Sequence, residues 1–119
     1  MCAYTPHAAA DVADTRQTRV LQTKVCDLRL SNFTATDLRG GKLRNADLRG
    51  AYFIKAVAPG ADFTGANLTD ALMDRAVFVG ADFTDAILAR TVLTLSDMKD
   101  ANVTNADFTD ALCVPCAVS

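Results

Sequence analysis

The chain has 119 residues, half of them apolar, with a formal net charge of −2, one histidine and no glutamate. This length fits one domain, and no run approaches the ~20 apolar residues that a membrane-spanning helix requires. A hydrolase triad needs a positioned base. Because the single histidine, His7, precedes the patterned region, we do not expect an enzyme, and we expect no cofactor.

The first segment, residues 1–23, carries no regular repeat. We expect it to be an N-terminal leader or cap, because a stack of coils needs its ends closed against other chains. Within it, residues 14–22 can form a short helix that folds Val20 and Leu21 over the following segment.

From residue 24 to residue 113 the sequence repeats every five residues. The centre of each unit is almost always large and apolar, and the position two residues before it is always small. The centres are Leu28, Phe33, Leu38, Leu43, Leu48, Phe53, Ala58, Phe63, Leu68, Met73, Phe78, Phe83, Leu88, Leu93, Met98, Val103, Phe108 and Cys113. Neither the period of a helix nor that of a strand gives this pattern, so the segment is a repeat array.

A five-residue period with two inward positions predicts a chain that turns a corner in every unit. Four units then close one square coil, and successive coils stack ~4.8 Å apart through backbone hydrogen bonds. Gly, Asn and Asp, which tolerate turns, end most units. Because six units end in other residues, we predict that not every corner needs a left-handed conformation. The exceptions are Leu30, Ala35, Lys55, Arg75, Arg90 and Leu95.

The units at residues 61–65, 66–70 and 106–110 are similar to the A(D/N)LXX repeat of the pentapeptide repeat family. The resemblance covers about three-quarters of the chain. It implies an all-β fold, a right-handed quadrilateral β-helix, with a short N-terminal capping segment. We therefore assign residues 1–23 to the cap, 24–113 to the β-helix and 114–119 to a C-terminal tail.

Three irregular segments resemble a narrower group, the pentapeptide repeat proteins of the thylakoid lumen in plants, algae and cyanobacteria. These segments are residues 27–34, 50–58 and 72–75. The resemblance implies a location in the chloroplast thylakoid lumen, although the chain shows no secretory leader or Arg-rich transit segment. It also implies a non-catalytic module that docks onto a photosystem or another thylakoid complex. Such a module would be peripheral to the membrane at most and would not bind nucleic acid.

Side chains one coil apart should form columns on the outer faces, and one column is apolar. It contains Asn32, Tyr52, Leu72, Val92 and Leu112. Exposed apolar patches usually mark docking surfaces. The predicted partner-binding residues are Tyr52, Ile54, Val57, Leu72, Val77 and Val92. The alternative is that the protein's own terminal segments cover this column.

The charges are distributed unevenly along the chain. Residues 1–60 contain nine Lys or Arg and five Asp, whereas residues 61–119 contain three and nine. The predicted basic patch on the early coils, which would orient docking unless it is simply solvated, consists of Arg29, Arg39, Arg44 and Arg49. Another branch of the resembled family mimics DNA and binds topoisomerases, but these arginines and the small net charge argue against mimicry.

Four cysteines in a short chain indicate an oxidising compartment. Cys26 and Cys113 belong to opposite ends of the array, too far apart for a disulfide. The possible bridges are therefore Cys2–Cys26, which would tie the N-terminal segment to the first coil, and Cys113–Cys116 in a CxxC motif. The CxxC motif fits a structural end clip, a thiol-redox switch or half of a zinc site.

The aspartates offer candidate carboxylate pairs. Asp62 and Asp82 fall one coil apart, as do Asp27 and Asp47, and such pairs could imitate a catalytic dyad. We interpret them as turn-forming residues on a solvated face.

Overall fold

The structure, a computed structural model, describes residues 27–113 and 117–118. In this part the chain winds as a coil in which parallel bridges join residues twenty positions apart, from Asp27↔Asp47 to Val92↔Leu112. This offset confirms the predicted coil of four five-residue units. The predicted cap, residues 1–23, lies outside the described residues.

Two short strands continue the same pairing at the end of the chain. Strand β1, Asp97–Met98, pairs in parallel with strand β2, Ala117–Val118. Asp97 lies opposite Ala117 and Met98 opposite Val118. The coil therefore extends one side beyond residue 113, into the segment that the sequence assigned to a tail.

The same backbone hydrogen bonds recur in each unit. In the unit centred on Phe33, the Phe33 N–H donates to the Tyr52 carbonyl oxygen of the next coil at 2.6 Å. The N–H of the corner residue Ala35 donates to the Ile54 carbonyl oxygen at 2.9 Å. The Thr36 N–H then closes a β-turn onto the Phe33 carbonyl oxygen at 3.1 Å. These bonds satisfy the backbone through short bridges, without long strands.

Every corner from residue 30 to residue 110 has a positive φ. The five glycine corners have φ between 63° and 68°, and the twelve other corners lie between 56° and 64°. The prediction that some corners avoid the left-handed conformation is therefore wrong. It fails at Leu30, Ala35, Lys55, Arg75, Arg90 and Leu95. The physical reason is that each corner is the third residue of a hydrogen-bonded β-turn, as in the bond from the Ala106 N–H to the Val103 carbonyl oxygen at 3.0 Å. Such a turn needs a positive φ at this position, which costs ~1–2 kcal/mol for a residue with a Cβ.

The residue before each centre lies on the outer wall and defines four faces. Face 1 carries Asp27, Asp47, Asn67, Ile87 and Asp107; face 2 carries Asn32, Tyr52, Leu72, Val92 and Leu112; face 3 carries Asp37, Val57, Val77 and Asp97; face 4 carries Lys42, Asp62, Asp82 and Asn102. Each Asp or Asn at these positions accepts the N–H two residues later, as Asn32 accepts that of Thr34 at 3.0 Å. This Asx bond stabilises the turn that follows.

The centre residues fill the interior, as predicted, and those from Leu28 to Met98 are buried. Phe33 and Phe53 stack with ring centroids 4.9 Å apart, and Phe63 and Phe83 stack at 5.0 Å. The small residues two positions before the centres are buried beside them from Ala46 to Ala101. Large and small residues therefore alternate so that the coil packs without an internal channel.

Candidate docking surface

Face 2 carries a continuous column of apolar side chains. Parallel bridges join Tyr52 to Leu72, Leu72 to Val92 and Val92 to Leu112. Tyr52 is 39% exposed and Leu112 is 52% exposed, while Leu72 and Val92 are half-buried. With coils ~4.8 Å apart, the four side chains span ~14 Å along the axis.

The apolar side chains of this column give up a local stabilising interaction. At the equivalent position, all Asp and Asn side chains accept the Asx hydrogen bond, for example Asp82 from the Thr84 N–H at 2.9 Å. Tyr52, Leu72 and Val92 have no acceptor to offer. A hydrogen bond of this kind contributes about 0.5–1.5 kcal/mol, so the column departs from the local rule without any gain in the interior. Such departures are expected at functional sites.

Further apolar side chains lie on face 3, beyond a corner that carries the exposed residues Lys55 and Arg75. Val57 and Val77 are bridged neighbours on face 3, and Ile54 at the corner is half-buried. The structure thus brings all six predicted partner-binding residues onto one surface. Two exposed leucines of this surface were not among the predicted residues. Leu95 at the corner is 55% exposed and Leu112 is 52% exposed. We call this set the apolar surface: Tyr52, Ile54, Val57, Leu72, Val77, Val92, Leu95 and Leu112.

The four predicted arginines do not form one patch. Arg29 and Arg49 lie in one column after face 1, whereas Arg39 follows face 3 and Arg44 follows face 4. Each one contacts a carboxylate: Arg29 with Asp27 at 2.7 Å, Arg49 with Asp47 at 2.8 Å, Arg39 with Asp37 at 2.9 Å and Arg44 with Asp62 at 3.3 Å. The charges that the sequence predicts as a basic patch are largely compensated locally.

Hydrogen bonding in these pairs lowers the pKa of the carboxyl groups. The side-chain hydrogen bond from Arg29 lowers the pKa of Asp27 to about 2, and that from Arg49 lowers the pKa of Asp47.

A shallow groove of about 690 Å³ lies beside these ion pairs, lined by Asp27, Arg29, Leu30, Arg49, Gly50 and Asp70. With two arginines and two aspartates, the lining has no net charge with which to attract an anion.

The cysteines are described only at the end of the coil. Cys113 is disulfide-bonded, whereas Cys2, Cys26 and Cys116 lie outside the described residues. The pairings Cys2–Cys26 and Cys113–Cys116 therefore stay predictions.

The candidate carboxylate pairs have a structural explanation. Asp62 and Asp82 are bridged neighbours, and each accepts the N–H of the threonine two residues later.

Among residues 27–113, no group of three or more His, Cys, Asp or Glu is placed to hold a metal ion. No helix in the described part of the chain is long and apolar enough to cross a membrane.

Comparison with known proteins gives the following matches. The sequence model of the pentapeptide repeats matches residues 31–70 and 76–112, in eight copies. The chain is similar to the solved structure of HetL, a pentapeptide repeat protein involved in heterocyst differentiation regulation in the cyanobacterium Nostoc sp. strain PCC 7120. The identity is 29% and the TM-score 0.60, over 76% of this chain and 39% of HetL.

It is also similar to a pentapeptide repeat protein of the Arabidopsis thaliana thylakoid lumen. The identity is 26% and the TM-score 0.55, over 79% of this chain and 64% of that protein. The chain thus spans less than two thirds of the length of each of these two proteins. No curated protein sequence matches the chain.

Proposed function

Since the chain belongs to the pentapeptide repeat family, we propose that it is a non-catalytic interaction module that docks onto a partner protein through the apolar surface. Pentapeptide repeat proteins form right-handed quadrilateral β-helices and are generally structural or interaction modules, not enzymes. Their interior is filled by their own side chains, so binding falls to the outer wall.

One observation carries this proposal. The column on face 2 places apolar residues where Asp and Asn elsewhere stabilise the turn, and leaves Tyr52 and Leu112 exposed. Burying about 100 Å² of this surface against a partner would stabilise a complex by about 2.5 kcal/mol before ordering costs. The unbound protein loses the turn hydrogen bonds and the complex gains the contact.

We further propose that the protein works in the thylakoid lumen, docked onto a protein complex of the photosynthetic membrane. The support is the similarity to the Arabidopsis protein of that compartment and the three irregular segments that resemble the lumenal group. Affinity isolation from native thylakoid membranes tests the location and the partner together. Recovery of stromal or cytosolic proteins alone would contradict it.

A second candidate role is regulation by thiol–disulfide exchange. It is favoured by the disulfide at Cys113, which lies four residues before strand β2 (Ala117–Val118). Reduction would remove the covalent bond at Cys113, close to the pairing of β1 with β2. The reduction potential decides, because a potential below about −300 mV marks an inert structural bridge.

The docking proposal is tested by restoring the repeat consensus on face 2. The variants Leu72→Asp and Val92→Asp supply the missing Asx acceptor, so the β-helix should keep its circular dichroism spectrum and its melting temperature. The partner should no longer co-purify. The matched control is Asn102→Asp, which adds the same charge on face 4 and keeps the acceptor.

The same variants separate docking from coverage by the protein's own termini. If residues 1–26 or the C-terminal tail cover face 2, an aspartate there disrupts an internal contact and lowers the melting temperature. Co-purification that survives both substitutions contradicts docking through this face.

A further inference from the structure

A cationic ridge runs along the corner between faces 2 and 3, in the middle of the apolar surface. Lys55 and Arg75 occupy equivalent corner positions in successive coils, and the Lys55 N–H donates to the carbonyl oxygen of Asp74 at 2.9 Å. Both residues are exposed. The ridge is flanked by Tyr52 and Leu72 on face 2 and by Val57 and Val77 on face 3.

The positions of Lys55 and Arg75 are unfavourable for the isolated protein. Both have left-handed φ, 61° and 57°, where glycine serves at the next corner column, at residues 40, 60 and 80. Like charges on paired neighbours also repel each other. Arg90, another basic corner residue, is explained by its ion pair with Asp70 at 2.8 Å. Among the described residues, Lys55 has no ion pair, and Arg75 pairs with Asp74 beside it at 3.2 Å.

This arrangement identifies the chemistry of an occupant. We propose that the segment docked on the apolar surface is a short amphipathic helix of a partner protein whose acidic side chains meet Lys55 and Arg75. The inference rests on the proposed docking function and adds to it the charge of the partner. A carboxylate placed over Lys55 would supply the ion pair that Asp74 already gives to Arg75, and apolar side chains would cover face 2.

The dimensions also favour a single helix over a second copy of the chain. The column on face 2 spans ~14 Å, which matches nine or ten residues of helix at ~1.5 Å per residue. A stable dimer buries ~800 Å² on each partner, more than this column offers. Helices pack flat against sheet faces in many folds.

Three labelled helical peptides test the charge preference. They share one leucine-rich face and carry Glu, Gln or Lys along its edge, and their dissociation constants are measured by fluorescence anisotropy at low and high salt. The wild type should bind the Glu peptide about fivefold more tightly than the Gln peptide, and the Lys peptide most weakly. The preference should shrink at high salt.

The double variant Lys55→Gly, Arg75→Gly should bind all three peptides equally while keeping the affinity of the Gln peptide. Glycine suits the left-handed corners, so this variant folds. The matched control, Lys42→Gln with Arg44→Gln, removes the same charge from face 4, opposite face 2, and should keep the preference. The inference would be overturned if the ridge variant still preferred the Glu peptide over the Gln peptide, or if the wild type did not bind the Glu peptide.

Two further measurements decide between occupants. Binding to phosphatidylserine vesicles but not to the Glu peptide would indicate a membrane surface instead, and self-association lost in Leu72→Asp would indicate a second copy; either overturns the inference. If Leu72→Asp leaves binding of all peptides intact, the proposed docking face fails. If Leu72→Asp abolishes binding but the wild type binds the Glu and Gln peptides equally, the docking face stands and the acidic character of the partner does not.

Discussion

The left-handed corners predict an unusual stability response to glycine. Ala35 has φ 57° and is exposed, and relieving its Cβ strain is worth ~1–2 kcal/mol. Glycine also has more freedom in the unfolded chain, which costs ~0.5–1 kcal/mol. Ala35→Gly should therefore stabilise the protein by ~0.5–1 kcal/mol, a rise in melting temperature of ~2–5 °C.

The reverse substitution provides an internal check. Gly60 has φ 68°, and a Cβ there would meet no heavy atom within 4 Å. Gly60→Ala thus changes only the corner conformation and should destabilise by ~0.5–1 kcal/mol. At Gly50 a Cβ would lie 2.7 Å from Leu30 Cδ2. Because this methyl group ends an exposed side chain that can turn away, Gly50→Ala should cost about as much as Gly60→Ala.

A matched control removes the general effect of glycine. Ala89 lies one position before a corner and is not among the residues with positive φ, so Ala89→Gly should destabilise by ~0.5–1 kcal/mol. Thermal and urea denaturation followed by circular dichroism give all four values. If Ala35→Gly destabilises the protein as much as Ala89→Gly does, the reasoning about the corners is refuted.

Three further predictions concern the interior, the pH response and the end of the coil. Ala58→Leu overpacks a coil that already holds two phenylalanine rings and should destabilise by ~1–3 kcal/mol in urea denaturation. The pKa of Asp27 is lowered to about 2 in the folded state from ~3.9 in the unfolded chain. The ionised Asp27 side chain therefore stabilises the fold above pH ~4, and this stabilisation is lost as the pH falls through about 2. The melting temperature should depend less on pH over this window in the variant Arg29→Gln. Reduction of the disulfide at Cys113 should lower the melting temperature, because a covalent bridge restricts the unfolded chain, and an unchanged value would show that the bridge does not stabilise the coil.

The candidate site could be predicted in part from the same period that predicts the fold. Residues twenty apart align on one face, so Tyr52, Leu72 and Val92 could be placed together from sequence. The ridge could also have been found, because Lys55 and Arg75 share a corner column. It was missed because the significance of a basic corner residue depends on its φ and on which carboxylates lie near it.

The arginines show the opposite case. Their closeness in sequence suggested one patch, but five- and ten-residue spacings direct side chains to different faces. Arg29 and Arg39 therefore lie on separate sides of the coil, and each contacts the aspartate two residues before it.

The sequence by itself determined the coil and its interior, because large and small apolar residues at a five-residue period can all be buried only if the chain turns a corner in every unit. It also determined the four columns of outward side chains. Only the tertiary structure decided the backbone at the corners and the pairing of the surface charges. At Leu30 and Leu95 the turn imposes a conformation that the residue itself disfavours. Local propensity yields because a hydrogen bond closes the turn across each of these corners, from the Ser31 N–H to the Leu28 carbonyl oxygen and from the Ser96 N–H to the Leu93 carbonyl oxygen.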